Sequence, residues 1–318
     1  MHVNPGIITR GYLCVMAAAL MWASSGTAGK ALFISGMAPY DLIQIRVTLS
    51  AIFILMVLGL FFRDMLRIRM KDLLYFFVLG GGVMALCQSS YFLAISKIQV
   101  AAAILLQYMA PSLVALFSIC FWKERLTIFK LLALVLSLAG CYLVVGGYNL
   151  KLLGMNTIGI MWGLVAAVAF ASYSLLGERG MHRYNPWTVH VYALLFASVT
   201  LNVIHTPFAY LSSSYSVTQW MHIIYIVIFG TILPFGLYFV GISHIRSTRA
   251  SITATLEPIS AAVFAYVFVG EMFEPLQIFG GVCVIASIML LQWQREHDDL
   301  SPEIIRRQKN MSRSHSRE

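Results

Sequence analysis

Glu257 is the residue in this chain best placed to do chemistry. It stands directly before Pro258 in "LEPISAAVFAYVFVGE" (256–271), a segment otherwise almost wholly apolar. A carboxylate near mid-bilayer costs at least about 2.5–3.5 kcal/mol on insertion scales, so it is a functional candidate by default. Three readings are open. It takes up a proton and couples another event to it. It meets a cationic group on a bound solute. Or it is protonated and only hydrogen-bonds a neighbouring helix. Two cations also fall inside apolar stretches, Lys30 and Arg46. Arg46 has Asp41 five residues before it as one partner. A carboxylate held by its fork of donors is another. Arg46 and Glu257 together would suit a zwitterion such as an amino acid. Lys30 is expected to snorkel to the interface.

Pro111 and Pro258 add a second kind of signal. Each removes a backbone donor, which leaves the carbonyl of Gln107 or Ala254 without its helical partner. In lipid such a carbonyl needs protein or cavity water. Both prolines therefore read as helix kinks, either facing a wet cavity or set statically in a packed bundle. Trp22, Gln88, Gln107, Tyr108 and Tyr173 are the candidate cavity-lining residues among the polar and aromatic side chains of these segments. Glycines 26, 29, 80–82, 280 and 281 read as close-packing positions. Glu124 and Glu271 follow apolar segments and read as structural.

These residues need elements to hold them, and composition says which. Of 318 residues, 59% are hydrophobic and 11% charged, with a mean hydropathy of +0.80. Soluble domains carry about 25% charged residues. The chain reads as an all-α integral membrane protein. Ten segments are long and apolar enough to cross a bilayer: 11–34, 41–62, 73–94, 100–121, 128–148, 157–177, 187–206, 219–240, 248–269 and 275–293. The stretch from Gly11 to Gly29 is expected to be the first span and not a cleavable leader. Residues 295–318 are polar and expected to be a disordered tail.

Ten crossings place both termini on one side. With the termini in the cytoplasm, 18 of the 22 Lys and Arg residues lie on that side. The positive-inside rule selects this orientation in a cell membrane. The net charge of +9 is thereby explained without nucleic acid.

The sequence also repeats. A shift of 147 lays residues 91–124 on 238–271 without a gap, with 11 of 34 positions identical. Pro111 falls on Pro258 and Glu124 on Glu271, whereas Glu257 falls on Ala110. "WASS" (22–25) falls on "FASY" (170–173) at nearly the same offset. The halves are 11–148 and 157–293. Each would hold five helices, an odd number, so the second must enter the membrane inverted. Inverted repeats characterise secondary transporters.

At these residues the chain resembles the drug/metabolite transporter superfamily, EamA type, over roughly 11–293. The resemblance is carried by Trp22-Ala23-Ser24, Lys30, Arg46, Tyr91-Phe92, Pro111, Glu124-Arg125-Leu126 and Gly140. It continues in Tyr238-Phe239, Leu256-Glu257-Pro258 and Gly270-Glu271. It implies ten helices, a central cavity from helices 1–4 and 6–9, helices 5 and 10 as buttresses, and export of small metabolites. One departure stands out. The small multidrug-resistance branch has a glutamate in helix 1, and none lies between Gly11 and Ile34 here.

The expected activity is outward secondary transport of small organic solutes, with import or uncoupled facilitation as alternatives. A membrane enzyme is disfavoured, because the eight histidines form no HxxxH or HExxH spacing and no P-loop occurs. The five cysteines show no metal or disulfide spacing. The expected partners are the bilayer and a small-molecule substrate, with a coupling proton and a homodimer left open. No cofactor and no metal are expected.

Overall fold

The computed structural model describes residues 5–98, 100–122, 127–144, 147–148, 156–206, 215–269, 274–293 and 301–306. Glu124, Glu271 and most of the tail lie outside them. Among the described residues the secondary structure is helical, with no strand.

Helix α1 (Pro5–Ile34) and α2 (Pro39–Phe61) are joined through Gly36, whose φ of 89° is open to glycine at no steric cost. Next come α3 (Leu73–Phe76), a π-helical segment (Phe77–Met84) and α4 (Ala85–Lys97), in direct succession. Then follow α5 (Val100–Gln107), α6 (Ala110–Trp122) and α7 (Ile128–Val144). The second half has α8 (Thr157–Met181), α9 (Pro186–Ile204) and α10 (Val217–Tyr225). It continues through a second π segment (Ile226–Ile232) into α11 (Leu233–Thr253), α12 (Leu256–Val269) and α13 (Pro275–Trp293).

Seven helices among the described residues are long and apolar enough to cross a membrane: Gly6–Ile34, Pro39–Phe61, Met70–Lys97, Ala103–Trp122, Thr157–Met181, Pro186–Ile204 and Val217–Thr253. Ile128–Val144 and Pro275–Leu290 are apolar but shorter. The distribution of side chains is that of a protein in lipid. Large apolar residues such as Phe61, Leu116 and Val203 face outward, while Gln44, Arg46, Ser174, Thr231 and Glu257 are buried.

The backbone departs from the expected helices at three places. The segment expected at 100–121 is interrupted at Tyr108–Met109, and the one at 248–269 at Ala254–Thr255. Pro111 and Pro258 stand in the first turn after each interruption. There the missing N–H has no helical partner to lose. The kinks expected inside continuous helices are therefore stops and restarts. In the third place, the helix expected to end near 240 runs on to Arg246, where φ 66° and ψ 165° turn the chain. The π segments, the interruptions and the non-helical residues Ile98 and Arg246 recur near the 147-residue offset of the sequence repeat.

Packing follows small residues. Helix α1 lies along α11, α4 along α8, and α7 along α13. A Cβ on Gly80 would meet the Ala193 carbonyl oxygen at 2.5 Å, so the first π segment approaches α9 backbone to backbone. The crossing of α7 and α13 is close on both sides. A Cβ on Gly140 would lie 2.7 Å from the Gly280 carbonyl oxygen, and one on Gly280 would lie 2.8 Å from that of Gly140. Gly281 and Gly82 have open space instead. The expected packing role thus belongs to Gly26, Gly29, Gly80, Gly81 and Gly280, and not to Gly82 or Gly281.

Part of the expected tail is ordered against the bundle. Residues 302–306 are helical, and Arg306 Nη1 donates to the Tyr184 carbonyl at 2.9 Å.

The mutual glycine contact makes a direct prediction. Gly140→Val or Gly280→Val is expected to cost about 1–3 kcal/mol by overpacking two backbones. Gly281→Ala should be silent. Thermal unfolding in detergent reads the difference, and equal midpoints for all three would refute the packing assignment.

Candidate functional site

One buried cavity gathers most of the expected residues. Its free volume is about 30 Å³, room for one or two waters in this conformation. Its wall includes Trp22, Arg46, Gln88, Gln107 and Glu257, all expected from the sequence. It also includes Ser25, Cys87, Tyr91, Phe92, Phe170, Gly230 and Phe235, which were not. Of these, Phe170 and Phe235 were legible in principle, because the repeat lays Trp22 on Phe170 and Gln88 on Phe235.

Arg46 is fully enclosed. Its Nε donates to Thr231 Oγ1 at 3.1 Å and its Nη2 to the Gly230 carbonyl at 3.3 Å. The guanidinium carbon sits 4.2 Å from the centroid of the Phe92 ring, a cation–π contact. Pro234, four residues after Gly230, has no N–H to offer, so the Gly230 carbonyl is open to a side-chain donor. Asp41, the other expected partner, accepts from Tyr215 at 2.7 Å. Three buried donors on the cavity wall have no partner among the described residues: Arg46 Nη1, Trp22 Nε1 and the Tyr91 hydroxyl.

Glu257 lies across the cavity wall from Arg46, in the first turn of α12. Its Oε2 is 2.8 Å from the Tyr108 hydroxyl oxygen, which is also 2.6 Å from the Ala254 carbonyl oxygen. This is the carbonyl expected to be stranded by Pro258. Tyr108 does not line the cavity; it stands behind Glu257, in the interruption between α5 and α6.

Tyr173 is not on the cavity wall either. It packs behind Phe235, stacks on Phe239 with centroids 4.5 Å apart and approaches His190 Nδ1 at 3.4 Å. Lys30 is half-buried and reaches a helix end. Its Nζ donates to the carbonyls of Ile95 at 2.6 Å and Ile98 at 3.3 Å, closing the C-terminus of α4. A cation is favoured at a helix C-terminus.

A second polar cluster went unread in the sequence. Glu178 accepts from Arg246 Nε at 3.0 Å and from the Ser247 backbone N–H at 2.7 Å. Both side chains are almost fully buried. By the expected spans Arg246 falls in the connection between 240 and 248. Its positive φ is rare outside glycine and costs on the order of 1–3 kcal/mol unless the surroundings hold it. The Glu178 carboxylate, bonded to both the side chain and the next N–H, is what holds it.

Comparison with known proteins decides the family. The model of the EamA-like transporter family matches residues 9–146 and again 157–293. This chain belongs to the EamA-like transporter family. A threonine/homoserine exporter, RhtA of Escherichia coli K12, is 27% identical over 225 residues, covering 68% of this chain and 69% of its own. An uncharacterized inner membrane transporter of Salmonella typhimurium, YicL, is 27% identical over 90% of this chain and 96% of its own. An uncharacterized transporter of Archaeoglobus fulgidus is 32% identical over 65% and 72%. A protein of solved crystal structure superimposes with a TM-score of 0.69 at 17% identity, covering 89% of this chain and 96% of its own, which supports the fold alone.

Within this EamA-like transporter, Glu178 and Arg246 form a testable unit. Removing one partner of a buried ion pair costs about 3–5 kcal/mol. Glu178→Ala is expected to lower stability by that amount. Glu178→Gln, which keeps an acceptor for the Ser247 N–H, should cost less. Chemical unfolding of the two variants checks the order, and an unchanged Glu178→Ala would show that the turn at Arg246 is held by something else.

Proposed function

We propose that this protein is a secondary transporter that moves small metabolites out of the cell by alternating access through the Trp22–Arg46–Glu257 cavity. The observation that carries the reading is the origin of the cavity wall. Trp22, Arg46, Gln88 and Gln107 come from the first family match and Phe170, Phe235 and Glu257 from the second. A site shared by two halves can be exposed by rocking one against the other.

The finer architecture belongs to the same reading. Residues 11–148 and 157–293 form two five-helix repeats, inverted relative to each other, ten helices in all. Both termini face the cytoplasm, with 295–318 as the tail. The near-equal spacing of the π segments, the interruptions and the turns at Ile98 and Arg246 supports this pairing. Discontinuous helices beside the site are a recurring transporter device, because freed backbone groups then border a cavity and not lipid.

The cargo is amino-acid-like. Arg46 Nη1, Trp22 Nε1 and the Tyr91 hydroxyl supply donors for a carboxylate. Glu257 supplies an acceptor for an ammonium group. The Phe170 and Phe235 rings supply an apolar wall for the solute's side chain. The relative named as a threonine/homoserine exporter supports a cargo of this class.

Counterflow in proteoliposomes tests the proposal. Preloaded threonine, homoserine and similar zwitterions are expected to exchange with external label. Arg46→Ala should lose most of the activity, tenfold or more, because each factor of ten is only about 1.4 kcal/mol of lost binding. Arg46→Lys, a point charge without the fork, should fall between. Wild-type rates in Arg46→Ala for every zwitterion tested would refute the cargo. Absence of flux for any solute would refute the transport reading itself.

A further inference from the structure

The contact among Tyr108, Ala254 and Glu257 contains a proton count that does not close unless Glu257 is an acid. Tyr108 has one hydroxyl proton. Its oxygen lies 2.6 Å from the Ala254 carbonyl oxygen and 2.8 Å from Glu257 Oε2. Both distances are those of O–H···O bonds, and each needs a hydrogen between the oxygens. A carbonyl has none to give, and an ionised carboxylate has none either. With Glu257 ionised, one of the two short contacts would set lone pair against lone pair in a buried site. A second proton removes the conflict.

We propose that Glu257 is a proton-binding site: it is a neutral acid here, donating to the Tyr108 hydroxyl oxygen, and Tyr108 donates onward to the Ala254 carbonyl. Tyr108 is the positioning residue of this site. It reaches Glu257 from the interruption between α5 and α6 and answers the carbonyl freed at the interruption between α11 and α12. One hydroxyl thus spans both breaks, and the proton on Glu257 sets which way it donates. Loss of that proton turns the Tyr108 hydroxyl toward the carboxylate and leaves the Ala254 carbonyl with only its short-range bond from the Glu257 N–H, at 3.0 Å.

The groups around Glu257 fit a site that exchanges charge. From α2 comes Arg46, which shares the cavity and has no carboxylate partner among the described residues. From α4 come Tyr91 and Cys87, and from α7 comes Cys141, within electrostatic reach of the acid. Trp22 and Ser25 approach from α1 and carry no charge. Arg46 is therefore the single permanent charge on the cavity wall among the described residues. With Glu257 neutral the cavity holds one positive charge, and with Glu257 ionised it holds none. A substrate ammonium on Glu257 and the proton are mutually exclusive, which gives exchange of one for the other. That last step rests on the transport reading; the proton site does not.

Infrared difference spectroscopy on the full chain in lipid, stepped in pH without any solute, tests the site. The wild type is expected to show the carbonyl stretch of a protonated carboxylic acid that vanishes as pH rises. Glu257→Gln, which keeps the size and a donor, should lack the band. Tyr108→Phe should keep it but at higher frequency, because the acid loses the oxygen it donates to. Thermal unfolding of each variant shows that it is folded. A titrating band that persists in Glu257→Gln, or one unmoved in Tyr108→Phe, would overturn the proposal. So would the lack of any titrating carboxylic band in the wild type. Because no solute is present, a chain that transports nothing can still pass this test. A chain that exchanges threonine can still fail it.

Discussion

A helix that breaks inside a bilayer frees backbone groups that no lipid can satisfy, each at a cost of several kcal/mol. This protein breaks or distorts its helices repeatedly, and its buried polar side chains are placed where the damage is. Arg46 answers the carbonyl of Gly230 and Ser50 that of Val227, both in the second π segment. Lys30 answers Ile95 and Ile98 at the end of α4. Tyr108 answers Ala254 ahead of Pro258. Glu178 answers the N–H of Ser247 after the turn at Arg246. Few of the membrane-embedded charges are spare. Lys30, Arg46 and Glu178 are each fixed by a backbone need first, and whatever chemistry they do is done from that fixed position.

The two turns show how the same need selects opposite charges. At Ile98 a helix ends, and its exposed carbonyls take a cation, Lys30. After Arg246 the chain restarts, and an exposed N–H takes an anion, Glu178. The helix dipole has this sign at each end. The two residues are counterparts in the repeat alignment, since the offset of 148 that lays Trp22 on Phe170 lays Lys30 on Glu178. The two halves of the sequence repeat are thus fastened by unlike side chains.

How much of this could be read beforehand depends on range. Hydropathy marks the spans, because burial in lipid is a property of a whole segment. The stranded Ala254 carbonyl follows from Pro258 alone, four residues away, and it is found hydrogen-bonded as that argument requires. Arg46, Glu257, Gln88, Gln107 and Trp22 were readable as cavity residues because polar or indole groups in apolar segments have few other uses. Tyr173 was misplaced by the same reasoning, since a tyrosine has an apolar body that packs as well as any phenylalanine. The Glu178–Arg246 pair was invisible because its partners are 68 positions apart and both looked like loop residues at span ends. The π segments were invisible for another reason. One extra residue per turn leaves no mark on hydrophobicity.

The cavity combines a paired backbone with one-sided chemistry. Under the proposed inverted repeat, Trp22 and Phe170 are counterparts, and they meet edge to face with centroids 5.8 Å apart. Residues that touch their own counterparts lie near the pseudo-two-fold axis, so the cavity they line lies near it too. Gln88 and Phe235 are likewise counterparts and both line the wall. Yet the polar members, Arg46, Gln88, Tyr91 and Gln107, come from the first half. The second half gives aromatic rings and one acid, Glu257, whose own counterpart is Ala110. Under the proposed reading a zwitterionic solute would be oriented across the axis, its anionic end toward the first half and its apolar body toward the second. A paired backbone would then let the site face either side, while the asymmetry of side chains would keep the cargo's orientation the same in both.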